Sequence, residues 1–311
     1  MPLPRGVYLS TSLDLAAFFG DRFRDLDIRT PEAIDDPAAI RFAIAWEPAA
    51  DAFTAYPGLQ FVSSLGAGVD SILACPSLPD IPVVRVRDPE QARLMAGFVA
   101  WTLLWWTRRF GEHRQNQRLA LWQRLPVNAP SHIRVGILGF GLMGQATART
   151  LHTLGFPIRA VARSSRRAEA IPGVTVECGP GALTRVAAAS DVLINLLPLT
   201  RETRGILGDA LFAAMPQGAI LIHAGRGEQL DEGALLAALD RDHLGGAAID
   251  VFAQEPLPAD HPFWAHERIL VSPHDAADAP TDTIVAQITD QVRRIAAGEP
   301  VLDPIFRDHG Y

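Results

Sequence analysis

Residues 133–144 read IRVGILGFGLMG, an apolar run of strand character ending at Leu138 and then a glycine-rich hexapeptide that opens a helical stretch reaching Leu154. Such hexapeptides arise often by chance, and the setting between strand and helix is what makes this one specific. Gly139 makes the tight turn, and Gly141 lets the backbone approach a pyrophosphate. Leu142 and Met143 begin the helix whose N-terminus favours phosphate, and Gly144 allows helix and strand to pack closely. Further along, apolar strands recur as PIRAVAR (157–163), DVLINLLP (191–198), AILIHAG (219–225), GAAIDVF (246–252) and RILVSPH (268–274), separated by helical stretches. Six strands in this alternation describe a doubly wound parallel sheet of the Rossmann type.

The first hundred residues alternate in the same way, through GVYLS, DLAAFFGDRFRDL, RFAIAW, FVSSLGAGVD and VVRVRD, which suggests a second parallel α/β sheet. A chain of 311 residues also exceeds what one core holds. Pro89 to Leu125 reads as one long helical region with Leu94, Phe98, Trp101, Leu104 and Trp105 on one face. An amphipathic helix over Thr281–Ala297 and the tail VLDPIFRDHGY lie too far along for the dinucleotide sheet and are expected to return to the first domain. The expected division is a discontinuous domain of residues 1–100 and 286–311, and a dinucleotide-binding domain of residues 101–285.

Composition excludes much chemistry. All 28 basic residues are arginine, so there is no lysine for a Schiff base, a pyridoxal-phosphate anchor or a phosphate loop. A net charge of −7 gives no broad positive field, so nucleic acid and anionic bilayers are not expected partners. The most apolar stretch, Leu94 to Trp106, is too short for a membrane span, and MPLPRGVYLS has no leader-like apolar core. Cys75 and Cys178 lack CxxC spacing, which fits a reducing compartment, and a cytoplasmic protein is expected. His113, His132, His152, His223, His243, His261, His266 and His309 lack metal-ligand spacing, so no metal is expected and these read as surface or packing residues.

Where the strand after the glycine loop ends, near Ala162, an NAD-specific fold places an acid on the ribose. Here the chain continues Arg163, Ser164, Ser165, Arg166, Arg167. Guanidinium forks and hydroxyls suit a 2′-phosphate, which predicts a preference for NADP(H) with NAD(H) use left open. An ordinary solvated face is the alternative.

Three later strand ends each deliver one polar residue: Arg226 from HAGRG, Glu255 from AIDVFAQEPLP and His274 from ILVSPH. Ligands of open α/β sheets bind beyond the carboxyl ends of strands, so the three are placed to meet. Together with SLGAGVD at 64–70 and NLLPLTRETRGIL from Asn195, in this order, these motifs resemble the D-isomer-specific 2-hydroxyacid dehydrogenases, most closely the glyoxylate/hydroxypyruvate reductase A group. The resemblance spans nearly the whole chain. It implies a Rossmann-type dinucleotide domain joined to a flavodoxin-like substrate domain, a homodimer, and reduction of small 2-oxo acids such as glyoxylate or hydroxypyruvate to D-2-hydroxy acids.

The residue chemistry agrees with that implication. Arg226 can grip the substrate bidentately, His274 can protonate the forming alkoxide, and Glu255 can hold His274 charged by raising its pKa. Leu65, Gly66, Ala67 and Gly68 are expected to offer backbone N–H donors to the substrate carboxylate, or else form a mere turn. By family analogy Trp46 walls the pocket, Leu197 and Pro198 line the cofactor, and Asp250 meets the nicotinamide carboxamide; Trp46 could equally be core, and Asp250 could equally cap a turn. A 3-hydroxyacid dehydrogenase is excluded because it needs a lysine, whereas a non-enzymatic dinucleotide sensor or corepressor on the same fold remains the alternative.

Two features depart from the family pattern. Asp275 and Asp278 follow the catalytic histidine, where they would disturb an anionic substrate if they faced it. Gly97 stands inside the helix leaving the first domain, where close packing against a helix or subunit would account for it.

Overall fold

A computed structural model describes residues 3–164 and 171–307. It divides into two compact units, residues 1–88 with 279–311 and residues 89–278. The first unit carries strands β1 (Arg5–Ser10), β2 (Ile28–Arg29), β3 (Ile40–Trp46), β4 (Phe61–Ser64) and β5 (Val83–Val84) in the order β2-β1-β3-β4-β5. All its strand pairs are parallel. Apolar clusters cover both faces, Val7, Ala43 and Val62 on one and Phe42, Ile44 and Phe61 on the other, as the period-2 alternation of a strand requires.

The second unit adds β6 (Val135–Leu138), β7 (Ile158–Val161), β8 (Val174–Glu177), β9 (Val192–Asn195), β10 (Ala219–His223), β11 (Leu244–Ile249) and β12 (Ile269–Val271). Their order is β12-β11-β10-β9-β6-β7-β8, again with every pair parallel. Chain direction across the sheet reverses between β6 and β9, and the crevice beyond the carboxyl ends at such a point is where ligands bind. β8 is a seventh strand absent from the sequence reading. Its VTVE is short and half-buried at the sheet edge, so it lacks the continuous apolar run that marked the other six.

The unit boundaries differ from the expected 100/101 and 285/286. Helix Pro89–Thr107 buries Met95, Val99 and Leu103 with Leu151, Phe156 and Ile158, so it belongs whole to the second unit. Helix Thr281–Ala296 buries Ile284, Ile288 and Val292 against Phe19, Phe42 and Val84, so it belongs whole to the first. A boundary at either expected position would cut a helix from its own buried face.

The long helical region read over Pro89–Leu125 is broken. Arg109 takes a left-handed conformation (φ 56°), a second helix runs Phe110–Arg118, and no regular element follows until Pro130. Its apolar side chains are divided: the core receives Ala92, Met95, Ala96, Val99 and Leu103, Phe98 and Leu104 pack partly against it, and Leu94 and Trp101 stay 53% and 56% exposed. Gly97 is exposed, and nothing lies within 4 Å of a Cβ placed there, so packing within the described chain does not explain it. Among the described residues no helix is long and apolar enough to cross a membrane.

Candidate active site

The loop after β6 is built by steric exclusion. Gly139 sits at φ 98°, and a Cβ there would lie 2.7 Å from the Leu196 carbonyl oxygen, while one at Gly144 would lie 1.9 Å from that of Gly139. Both positions admit only hydrogen. Gly141 differs, because nothing lies within 4 Å of its missing Cβ. It is exposed and caps helix Leu142–Thr153 without a side chain, so the first helical amides, at Leu142 and Met143, open onto free space. Hydrogens where backbone crowds backbone, and an open approach at the helix N-terminus, fit a bound pyrophosphate.

Beyond β7, Arg163 and Ser164 are exposed, while Arg166 lies outside the described residues. Glu177, register partner of Val161 on the edge strand, is held by Arg159 at 3.1 Å and Arg185 at 2.8 Å.

At the end of β12 the chain turns sharply and places His274 at φ 55°, its amide donating to the Asp250 carbonyl at 2.8 Å. His274 Nδ1 lies 2.8 Å from Glu255 Oε2, and the other carboxylate oxygen accepts the Phe252 amide at 2.9 Å. The hydrogen bond to Glu255 raises the His274 pKa, burial and the Arg226 charge oppose it, and the charges of Glu255 and Asp250 reinforce it, leaving a net upward shift. For Glu255 burial pushes upward, but the His274 and Phe252 hydrogen bonds and the charges of His274 and Arg226 prevail, so its carboxyl is held down. Arg226 therefore acts on both members of the pair.

Asp250 is buried and gathers the His274 loop: it accepts from the Ser272 hydroxyl at 2.7 Å and from the amides of Asp275 and Ala276 at 3.2 Å each. Burial drives its pKa up against those bonds and the His274 charge. Of the two readings of Asp250, the turn cap is the one these contacts display. Asp275 and Asp278 are exposed, and among the described residues the carboxylates whose charges shift His274 are Glu255 and Asp250.

In the first unit the Trp46 indole covers Gly66, 3.3 Å from where a Cβ would be, and its remaining surface joins the apolar cluster around Phe61. Within the loop the Gly66 amide donates to Ser64 Oγ at 3.1 Å, and that hydroxyl donates to the Gly68 carbonyl at 2.7 Å. Gly66 is thus a spent donor, contrary to the expectation of free N–H groups along the whole of Leu65–Gly68. The hydroxyl of Ser64, the first residue of the SLGAGVD motif, supplies the acceptor.

Sequence reasoning missed one cluster beneath the site. His223, taken for a surface or packing residue, is fully buried at the end of β10 beside Asn195 of β9, its register partner. Asn195 Nδ2 lies 3.1 Å from His223 Nδ1 and 2.8 Å from Gln229 Oε1. The Asn195 amide is the donor, so His223 is neutral with its proton on Nε2, and burial drives its pKa down to about 3. A polar side chain closing each of two adjacent apolar strands was the only signal.

The chain has known relatives along nearly its whole length. A profile of the D-isomer specific 2-hydroxyacid dehydrogenase NAD binding domain matches residues 100–276. The glyoxylate/hydroxypyruvate reductase A of Salmonella typhi is 37% identical over 276 residues, 87% of each chain. The D-isomer specific 2-hydroxyacid dehydrogenase of Xanthobacter autotrophicus Py2, solved with NADPH and MES, superposes with a TM-score of 0.91 at 37% identity, covering 99% of this chain and 100% of that one. The NADPH-dependent glyoxylate/hydroxypyruvate reductase of Sinorhizobium meliloti, solved with NADP and sulfate, gives 0.90 at 31% identity, covering 99% of both. With a doubly wound dinucleotide fold and the motifs at its strand ends, the chain belongs to the D-isomer specific 2-hydroxyacid dehydrogenase family.

Proposed function

We propose that the protein is an NADPH-preferring reductase of small 2-oxo acids, glyoxylate or hydroxypyruvate first, yielding D-2-hydroxy acids. The observation that carries this reading is the 2.8 Å pairing of His274 Nδ1 with Glu255 within the field of Arg226. When bound, NADPH supplies the hydride. Arg226 holds the substrate's carboxylate or carbonyl oxygen, and donors among Leu65, Ala67 and Gly68 assist with the carboxylate. Because Nδ1 faces Glu255, the proton reaching the carbonyl oxygen comes from His274 Nε2. Glu255 keeps that proton in place at neutral pH by stabilising the imidazolium.

Gly139, Gly141, Leu142, Met143 and Gly144 hold the pyrophosphate, and Leu197, Pro198 and Asp250 lie along the nicotinamide side. Arg163, Ser164 and Arg166 receive the 2′-phosphate. The Xanthobacter and Sinorhizobium relatives, solved with NADPH and NADP, support that preference. Trp46 bounds the substrate. The exposed Leu94 and Trp101, with a cavity of about 690 Å³ beside Trp105, Phe110 and His113, support a homodimer through this helix pair. Free Cys75 and Cys178 support a reducing, cytoplasmic setting.

Absorbance loss of NADPH and NADH with glyoxylate, hydroxypyruvate and pyruvate tests the reading. Faster oxidation of NADPH with the first two is expected. Cofactor binding without turnover of any 2-oxo acid would replace it with the sensor reading.

A further inference from the structure

Gln229 lies in the short turn after Arg226 and is wholly buried, and each hydrogen-bonding position of its amide is used. Its oxygen accepts from Asn195 Nδ2 at 2.8 Å and from the Arg226 backbone amide at 2.9 Å. Its nitrogen donates to the carbonyls of Leu197 at 3.2 Å and Pro198 at 2.9 Å. Two acceptor sites and two donors exhaust a carboxamide. No other side chain of this shape offers both, since a glutamate here would set a carboxylate against two carbonyl oxygens.

The neighbouring backbone is cut to fit it. A Cβ on Gly225 would stand 2.3 Å from Gln229 Oε1, 2.8 Å from Asn195 Nδ2 and 3.0 Å from the Leu197 carbonyl oxygen. Gly225 carries no positive-φ requirement, so the missing side chain there answers to the amide and not to the turn. The network is anchored from below by His223, whose Nδ1 takes the remaining Asn195 proton.

We propose that Gln229 is a positioning residue whose single amide ties the Leu197–Pro198 segment to the backbone of Arg226, so that cofactor and substrate are held by one rigid unit. This rests on the roles given above to Arg226 and to Leu197 and Pro198. Loss of the amide leaves the Leu197 carbonyl, the Arg226 backbone N–H and one Asn195 side-chain N–H without these partners in a buried place, while the Pro198 carbonyl keeps only the Thr203 hydroxyl, and both segments relax together. Gln229 holds the backbone of Arg226, and the hydrogen bond between His274 and Glu255, the chief cause of the His274 shift, lies outside the network, so the proton donor keeps its own partner.

The test is Gln229→Ala beside the native enzyme, measuring NADPH affinity by its fluorescence in the absence of substrate, and then KM, kcat and the pH profile with glyoxylate. The proposal expects the NADPH Kd and the glyoxylate KM each to rise about tenfold with no downward move of the basic limb of the profile. A residue needed only for folding would lower the active fraction, and so kcat, leaving Kd and KM unchanged; that result overturns the proposal. Gly225→Ala drives a methyl group into the same amide from the other side and is expected to raise both constants likewise. Failure of both variants to fold would assign the amide to folding alone and overturn it equally. The affinity measurement stands apart from turnover: native enzyme that binds NADPH but reduces no 2-oxo acid defeats the proposed function, whereas an unchanged Kd in Gln229→Ala defeats this inference.

Discussion

His223 ends β10 and His274 follows β12 in the same sheet, yet their pKa values are shifted in opposite directions. His223 is sealed from water, accepts a hydrogen bond from a neutral amide, and is pushed down to about 3. His274 is partly exposed, faces a carboxylate, and is shifted upward. The same imidazole serves as a fixed acceptor in one place and a proton donor in the other, and the difference is made by the partner on Nδ1 and by access to solvent. An acid for a reaction must keep both a stabilised charge and an open nitrogen, and only His274 has the two.

The largest effect expected is on turnover. His274→Ala removes the proton donor and should lower kcat by about 10²–10⁴ while NADPH binding persists. A smaller loss would move the proton source elsewhere. His223→Leu, by contrast, should leave kcat largely intact and strand one Asn195 N–H, at a cost of about 1–3 kcal/mol in urea unfolding.

Next comes the pH profile of reduction. The His274 pKa is raised, chiefly by the Glu255 hydrogen bond, so the active imidazolium survives to higher pH than an unpaired histidine would allow. Glu255→Gln should bring the basic limb of kcat/KM down by about one unit, with rates converging at low pH. An unmoved limb would uncouple the pair.

His223 predicts stability in the reverse sense. Its folded pKa, about 3, lies below the ordinary histidine value of 6.5, so the unfolded chain binds the extra proton. This contribution is fully present above about pH 6.5 and is lost toward pH 3, at up to about 1.4 kcal/mol per pH unit. Urea midpoints at pH 7 and pH 5 should therefore fall more for the native protein than for His223→Asn. An equal fall in both would remove His223 as the source.

What could be read from the sequence followed from how local its cause was. The glycines at 139, 141 and 144 obey steric rules contained in six residues, and each catalytic candidate follows directly on an apolar strand. Gln229 and His223 matter because β9 and β10 pair in the register that sets Asn195 beside His223, a relation between residues far apart in the chain. The break falls on Arg109 itself, which is no glycine, while the nearby Gly111 lies inside the second helix and so did not mark it. Helix 89–107 sets Met95, Val99 and Leu103 on the core and leaves Leu94 and Trp101 outside, a division that the apolar content of the stretch does not mark.

Asp275 and Asp278 give the smallest and finest test of why the two histidines differ. Both stand within a few residues of His274, and by sequence distance alone either could substitute for Glu255 in holding the imidazolium. Asp275 is exposed, its backbone amide is tied to Asp250, and neither acid is among the groups whose charge shifts His274. Water and salt screen an exposed charge that makes no direct hydrogen bond. Asp275→Asn and Asp278→Asn should therefore each displace the basic limb by less than about 0.3 pH unit, a small fraction of the Glu255→Gln shift. A displacement as large as that of Glu255→Gln would mean that net negative charge around the loop, and not the 2.8 Å hydrogen bond at Nδ1, is what separates His274 from His223.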